Sequence, residues 1–289
     1  MEDLRSYKYR GTPDCPIAFY TIKDRPETAS AAHYHRELEI IHLLEGQMDY
    51  RVDRSVLHMQ AGDILIIAPN QIHGRISSTP DSLLHDLIAA PEAIAMPNHH
   101  VFQKEFVQPL QNNLLRLPPL LQPEHPAYAA AAEALNKLPS YRMHEPNYKL
   151  YRYLAVVSVC VAIAPWCIPL DETLKDALPG NKAVRMAMLY IHNKCDTPLD
   201  LQAIANHVHL HPNYLCALFK AHTGKTIMQY VTQKRVDAAI LLLRDTELPL
   251  EVVAEKTGFS NRSLFFRHFR EITGMTPNAY RKKLLSQKL

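Results

Sequence analysis

The sequence predicts an α+β protein of two domains, a β-barrel domain followed by an all-α domain. Three observations predict this fold class. Short apolar runs separated by turn residues fill about the first 92 residues, a motif near the C-terminal end occurs twice, and the chain of 289 residues is long enough for two domains. We expect the domains at residues 1–164 and 182–289, with a linker at 165–181.

The N-terminal half contains five apolar segments that predict β-strands. They are residues 17–20, 38–44, 47–52, 63–68 and 83–88. Turn residues separate them at Glu45-Gly46 and at Ala61-Gly62-Asp63. Many short strands at this spacing indicate a sandwich or a small barrel.

Three segments with helical periodicity follow, at 101–117, 127–138 and 147–164. The third has a broad apolar face that includes Leu150, Leu154, Val157 and Val161. We expect it to be too short, and too flanked by polar residues, to span a membrane. It should therefore pack on its own barrel or pair with a second subunit. The proline-rich residues 165–181 predict the linker.

The C-terminal region contains one motif twice, fifty residues apart. Phe219-Lys220-x-x-Thr223-Gly224-x-Thr226-x-x-x-Tyr230 returns as Phe269-Arg270-x-x-Thr273-Gly274-x-Thr276-x-x-x-Tyr280. A duplicated unit of this size, rich in short helices and basic residues, indicates a paired DNA reader.

Each copy of the motif belongs to a predicted helix-turn-helix unit, at about 199–224 and 250–274. In the first unit we expect Thr197 to cap the leading helix and the second helix to begin near Pro212. In the second unit Ser260 or Asn261 should cap the second helix. The turn of the second unit is one residue longer. Residues 227–244 lack Gly and Pro and predict one long connecting helix.

Charge is divided unequally along the chain. Residues 181–289 contain 16 Lys and Arg against 8 Asp and Glu, a net charge of +8. The remaining residues contain 16 basic and 21 acidic side chains, so they carry −5, and the whole-chain value is only +3. A basic C-terminal domain suits a partner with phosphate groups.

Residues 183–283 resemble the DNA-binding domain of AraC/XylS-type transcription regulators, and the stretch from Gly258 to Arg281 is close to that family's signature. The resemblance implies a non-enzymatic regulator that binds double-stranded DNA, and RNA polymerase as a partner if the protein activates transcription. It also implies dimerisation through the helices that follow the barrel.

Side chains near the N-terminal end of a recognition helix reach base edges. The predicted base contacts are Asn213, Tyr214, Cys216 and Ala217 in the first unit, and Asn261, Arg262, Ser263, Phe266 and Arg267 in the second. The predicted phosphate contacts are Lys220, Lys225, Arg270 and Arg281. Large apolar residues at helical spacing should be buried instead: Leu215, Leu218, Phe219, Leu264, Phe265 and Phe269.

The N-terminal half contains His33-x-His35-x-x-x-Glu39-x-x-x-x-x-x-Gly46, which matches the first motif of cupins, and residues 62–73 resemble the second. The resemblance places His33, His35, Glu39 and His73 in the barrel, where metal-binding cupins have their ligands. The second motif lacks the usual glycine and is one residue shorter, which resembles sensor cupins that bind a small molecule without metal. We therefore expect an effector site and no cofactor, with Tyr20 and Tyr50 as further candidates and a sugar-like ligand.

Five cysteines without paired spacing indicate reduced thiols, and we find neither a signal peptide nor a membrane segment, so we expect a cytoplasmic protein. Two other functions stay open. The N-terminal domain could respond to a protein partner, or the regulator could act constitutively. Alternatively, the chain could be a metal-dependent cupin enzyme tethered to DNA.

Overall fold

The computed structural model describes residues 15–23, 31–138, 147–170 and 179–286. The chain divides into two compact units, residues 1–181 and 182–289. The first contains all ten described strands and the second is helical. The predicted α+β class, with a sheet-rich N-terminal region and a helical C-terminal region, is confirmed.

The N-terminal unit is built from two main antiparallel sheets. Its strands are β1 (Ile17–Lys23), β2 (Leu38–Glu45), β3 (Gln47–Val52), β4 (Ser55–Gln60), β5 (Ile64–Ile67), β6 (His73–Ser78), β7 (Leu83–Ala89), β8 (Leu115–Arg116), β9 (Leu120–Leu121) and β10 (Ile168–Pro169). One sheet has the order β1-β7-β2-β5-β9 and the other β4-β3-β6. The sequence did not predict β4, most of whose residues are exposed, or β6, which has one large apolar residue, Ile76.

Strand β2 lies between two apolar layers. Ile41 and Leu43 belong to a core shared by the two sheets, whereas Leu38 and Ile40 face a second core formed with the helices of this unit. Because successive side chains of a strand point to opposite faces, a strand covered on both faces is apolar throughout. This explains the nearly continuous apolar run at 38–44.

The helices of the N-terminal unit cover the outer face of the five-stranded sheet. They are α1 (Gln108–Gln111), preceded by a π-helical turn at Gln103–Val107, then α2 (Tyr128–Lys137) and α3 (Tyr148–Ile163). The expected helix at 101–117 is therefore too long at its C-terminal end. Asn113 adopts a positive φ of 55°, which ends the helix, and β8 follows.

Helix α3 presents one face to the core and another to solvent. Val156, Val159 and Ile163 are fully buried, whereas Leu150 and Leu154 are more than half exposed. By length and composition alone, Tyr148–Trp166 could cross a membrane. Its buried face, however, packs on the sheet and α2 as in the core of a globular unit.

The predicted linker begins too early. Ile168 and Pro169 form β10, which pairs with β8 in the N-terminal unit, so the chain up to Leu170 still packs on that unit. The next described element, from residue 179, is already helical.

The second unit begins within α4 (Pro179–Lys194) and continues with α5 (Leu201–His207), α6 (Pro212–Thr223), α7 (Ile227–Asp245), α8 (Leu250–Lys256), α9 (Arg262–Thr273) and α10 (Pro277–Ser286). The pairs α5–α6 and α8–α9 are the two predicted helix-turn-helix units, and α7 connects them. The turn between α8 and α9 is one residue longer than that between α5 and α6, as predicted.

Helix ends in this unit follow their capping residues. Asp200, not Thr197, caps α5, because its carboxylate accepts a hydrogen bond from the Ala203 amide at 2.7 Å. Asn261 caps α9 through bonds from the Ser263 and Leu264 amides. Gly224 and Gly274 end α6 and α9 in the left-handed conformation. The Thr-Gly pairs of the repeated motif are therefore helix stops.

Candidate effector site and nucleic-acid interface

Four predicted residues of the barrel meet in one cluster. The Glu39 carboxylate oxygen Oε2 lies 2.8 Å from His35 Nε2 and 3.0 Å from His73 Nε2. The rings of His33 and His73 are 4.3 Å apart, and a β-bridge joins the two residues. His35, Glu39 and His73 are buried. The chain thus gathers three imidazoles and one carboxylate in a shielded position.

The backbone fixes the orientation of all three imidazoles. Nδ1 of His33, His35 and His73 lies 3.0, 3.2 and 2.9 Å from a carbonyl oxygen of Ala31, Glu37 and Gln71 respectively. A carbonyl can only accept, so each Nδ1 must carry the proton. Nε2 is the nitrogen that remains on each ring, and Nε2 of His35 forms a hydrogen bond with Glu39 Oε2 at 2.8 Å. His73 Nε2 approaches Glu39 without the geometry of a hydrogen bond.

The pKa values of His33 and Glu39 are both lowered, but for different reasons. Burial, followed by the proximity of His73, holds the pKa of His33 well below its usual value. Burial alone would raise the pKa of Glu39, but the adjacent His73 and His35 together hold it well below its usual value. The cluster therefore keeps an ionised carboxylate beside an imidazole that resists protonation.

This donor set fits a divalent metal ion. The ligand atoms of His33, His35 and His73 lie within 4.8 Å of one another. Imidazole nitrogens with a carboxylate suit Zn, Fe or Mn, and a carbonyl that fixes the other ring nitrogen is the usual support of such ligands. A bound ion would also satisfy the buried Nε2 atom of His73.

A second group of polar side chains lies on the inner faces of the sheets. Tyr50 belongs to the core between the sheets and pairs with Arg75 across the strands. On the facing sheet, Asp86 of β7 pairs with Ile41 of β2 and with Tyr20 of β1. Ile41 belongs to the same core as Tyr50. Cross-strand partners share a face, so these residues line the same interior as the histidine cluster.

Sequence reasoning missed Arg75 and Asp86. The alternation along β6 after His73 could have indicated Arg75, but β6 itself was not predicted. Tyr50 is 8% exposed and Tyr20 is 44% exposed, so Tyr50 lies inside the barrel and Tyr20 at its rim.

The first recognition helix, α6, exposes most of the predicted base contacts. Asn213, Tyr214 and Ala217 are exposed and Cys216 is half-buried. Tyr214 is 54% exposed, although it is a large aromatic residue. The side chain of His211 caps α6 by accepting from the Asn213 amide at 3.3 Å. Leu215 and Phe219 are buried on the opposite face, as expected.

The second recognition helix, α9, exposes Ser263 and Arg267, but two predicted base contacts are already engaged. Asn261 uses its side-chain oxygen as the helix cap. Arg262 forms an ion pair with Glu251 of α8, with Nη1 2.6 Å from Oε1, and its guanidinium lies 5.2 Å from the centre of the half-buried Phe266 ring. Sequence reasoning did not anticipate Glu251.

Leu264 is 38% exposed, so the expectation that it lies in the core is wrong. The buried centre of α9 is formed by Phe265 and Phe269. Leu264 projects sideways from that centre because successive helical residues are rotated by about 100°. Leu218 is half-buried.

The four predicted phosphate contacts differ in their surroundings. Lys220 and Arg270 are exposed and occupy matching positions in the last turns of α6 and α9. Lys225 is half-buried and donates to the side chain of Gln233 at 2.9 Å, and burial lowers its pKa. Arg281 donates to the Leu248 carbonyl at 2.6 Å. The structure thus uses Lys225 and Arg281 to support the fold and leaves Lys220 and Arg270 extended to solvent.

Comparison with known proteins supports both halves of this description. Residues 204–283 match a family described as a helix-turn-helix domain, and residues 21–83 match the cupin domain family. The transcriptional activator RhaR of Cronobacter sakazakii is 24% identical over 287 residues, which cover 97% of this chain and 96% of that protein. The chain belongs to the AraC-type transcription regulators.

Other relatives of this AraC-type regulator match over shorter ranges. An uncharacterised regulator of Bacillus subtilis, YobQ, is 33% identical over 144 residues, or 50% of this chain. The match spans only 59% of YobQ. Among solved structures, ToxT of Vibrio cholerae O395 aligns with 93% of this chain and 97% of its own, at 14% identity and a TM-score of 0.43.

Proposed function

We propose that this AraC-type regulator binds a specific DNA site with both helix-turn-helix units, as a homodimer controlled by a small molecule in the barrel. We infer that it acts in the cytoplasm. The observation that carries the proposal is the pairing of two exposed recognition helices in a unit of strongly basic composition.

The connecting helix has a suitable length for this role. With 19 residues, α7 is roughly 28 Å long at about 1.5 Å per residue. One turn of DNA spans about 34 Å, so a helix of this length suits two readers that enter successive major grooves. The sequence-independent part of the affinity would come from the basic side chains.

Selection of duplexes from a random DNA pool by the full-length protein tests this proposal. We expect an enriched sequence with two half-sites about 10 base pairs apart, centre to centre. Enrichment of one half-site alone would contradict reading by both units, and no enrichment would contradict sequence-specific binding. RNA polymerase becomes a partner if the selected site lies beside a promoter and transcription rises when the protein is present.

The barrel interior supports a small polar effector. Arg75 can donate and Asp86 can accept hydrogen bonds, while Tyr20 offers both a ring face and a hydroxyl. Such a lining suits a ligand with several hydroxyl groups, which is why we propose a sugar or a sugar derivative. The effector would act through a difference in affinity for two arrangements of the protein.

A thermal-shift screen of the full-length protein against sugars, sugar phosphates and divalent metals tests the effector proposal. A ligand at a hundredfold excess over its Kd stabilises the folded state by about 2.7 kcal/mol. His35→Ala should remove the shift and the response to the ligand, yet leave DNA binding intact. If no small molecule shifts the wild type, control by a protein partner or constitutive action is favoured instead.

A specific observation also favours a second candidate, in which the effector is a divalent metal ion. The ligand atoms of His33, His35 and His73 lie within 4.8 Å of one another, and the buried Nε2 of His73 lies 3.0 Å from Glu39 without a hydrogen bond, so a cation could bind between these groups. Metal analysis of the purified protein, and melting with and without EDTA, test this candidate. Equal melting temperatures and less than a tenth of an equivalent of metal would contradict it.

Dimerisation is proposed from the solvent face of α3. Leu150, Leu154, Val157 and Val161 follow one another at spacings of four, three and four residues, which is the pattern of a coiled-coil seam. Three of these side chains are between 55% and 60% exposed. Burial of this stripe against the same helix of a second copy would remove it from water.

A further inference from the structure

We propose that Glu251 is a positioning residue for base recognition, because it holds the Arg262 guanidinium at the entrance of the second recognition helix. The proposal rests on the function proposed above and concerns how the second unit reads its half-site.

The structure places the carboxylate of Glu251 against the guanidinium of Arg262. Ser263 and Arg267 are exposed on the side opposite Phe265 and Phe269. Arg262 is the first residue of α9, and its exposed guanidinium lies 2.6 Å from the carboxylate of Glu251 on α8. The ring of Phe266, one turn later, lies beneath the guanidinium.

The chemistry of arginine makes this support useful. A guanidinium has five N–H donors in a plane, and a bidentate contact with guanine O6 and N7 uses two of them. The bond from Nη1 to Glu251 leaves donors on Nη2 and Nε. A long side chain that is held on one edge and stacked on a ring loses less conformational entropy when it binds a base.

The pair is poorly suited to a purely structural role. The side chains of Arg262 and Glu251 are 62% and 55% exposed, and ion pairs with this exposure contribute little to folding stability. Glu251 also places a negative charge beside a surface that must approach phosphate. A residue that weakens DNA affinity by repulsion and adds little stability is best explained by its effect on the arginine.

The first helix-turn-helix unit provides an internal comparison. There, the position that matches Glu251 is Gln202, which bonds to Asn206 on its own helix at 2.8 Å. The position that matches Arg262 is Pro212, which has no polar side chain. An arginine held by a carboxylate is thus a feature of the second unit. The Arg262–Glu251 pair should therefore increase base preference in the half-site that this unit binds.

Glu255 provides a matched control. It is exposed, it is one turn after Glu251 on α8, and its replacement by glutamine removes the same charge. Both Glu251→Gln and Glu255→Gln should raise the affinity for random DNA slightly, because each removes a repulsion. Only Glu251→Gln should alter base preference.

The test is selection from a random duplex pool with four full-length proteins: wild type, Arg262→Ala, Glu251→Gln and Glu255→Gln. Arg262→Ala should flatten the preference at one base pair, and Glu251→Gln should reduce the preference at that same base pair by about tenfold. Glu255→Gln should keep the wild-type profile. Circular dichroism melting of each variant checks that the fold is intact.

Two results would overturn the inference. A wild-type profile for Glu251→Gln, with flattening in Arg262→Ala, would show that Arg262 reads its base unaided. A sharper preference in Glu251→Gln would show that the carboxylate competes with DNA. Failure of the wild type to enrich any sequence would instead contradict the proposed function, and the inference with it.

Discussion

At the scale of single residues, two glycines with similar backbone conformations have different surroundings. Gly258 and Gly274 have φ of +82° and +72°. A Cβ at Gly258 would collide with the backbone carbonyl oxygen of Cys195 and would lie 3.0 Å from Nε of Arg235, whereas nothing lies within 4 Å of a Cβ at Gly274. Arg235 itself donates to the Cys195 carbonyl at 2.7 Å, so this junction is closely packed.

Alanine substitution should separate backbone strain from steric conflict. Gly274→Ala should lower the free energy of unfolding by about 1–2 kcal/mol, the cost of a left-handed residue with a side chain. Gly258→Ala should cost about 1–3 kcal/mol more, because overpacking is added. Urea denaturation of both variants measures the difference. Equal losses would show that the Cys195 junction yields without cost.

His42 makes a pH dependence expected in the N-terminal unit. Burial, followed by the neighbouring His85, lowers the pKa of His42 to about 4. Because the unfolded chain binds this proton at about pH 6.5 and the folded chain does not, stability should fall as pH decreases from about 6.5 toward 4. His42→Leu should reduce that fall in melting temperature. His99→Leu, which alters an exposed histidine, should not. Parallel pH profiles for the wild type and His42→Leu would contradict the assignment.

The sequence predicted the residues that lie within one motif and missed those that depend on distant pairing. His33, His35, Glu39 and His73 were found because the cupin motifs contain them. Arg75 and Asp86 become neighbours of the site only through sheet register. Glu251 meets Arg262 only because α8 and α9 pack together. These contacts leave no local periodicity in the sequence.

At the scale of elements, prediction succeeded where burial is one-sided and regular. Helices α2, α3, α6, α7 and α9 were located because their apolar residues recur on one face. Strands β4 and β6 were missed because the outer face of the three-stranded sheet is exposed and polar, with Asp49 bonded to both His58 and Ser77. The end of α1 depends on Asn113, and the helical spacing of the apolar residues does not predict its positive φ.

The exposed stripe of α3 gives a prediction at this scale. Leu150→Lys would place a charge in the proposed seam, and burial of an unpaired charge is costly, so the protein should become monomeric at micromolar concentration. Val101→Lys is the matched control, since Leu150 and Val101 are both 60% exposed but Val101 lies outside α3. Light scattering after size-exclusion chromatography measures the mass. A monomeric wild type, or a dimeric Leu150→Lys, would refute the seam.

At the scale of the whole molecule, the two units differ in the sign of their net charge, and this difference favours DNA binding by the second unit. The basic second unit can attract phosphate, while the acidic remainder cannot, so only lysines of the second unit should affect DNA binding. Each phosphate contact releases bound counterions and contributes about 0.9 to the slope of log affinity against log salt concentration. The slope therefore counts contacts independently of base recognition.

Lys220→Ala should thus lower the salt slope by about one and weaken specific and random DNA alike. Lys104→Ala removes the same charge from an exposed position in the acidic unit, and it should leave the slope unchanged. Titration of both variants at several salt concentrations, on a selected site and on random DNA, provides the comparison. A loss on the selected site alone would make Lys220 a base contact. Equal slopes for the two variants would mean that long-range charge, and not contact at α6, sets the affinity.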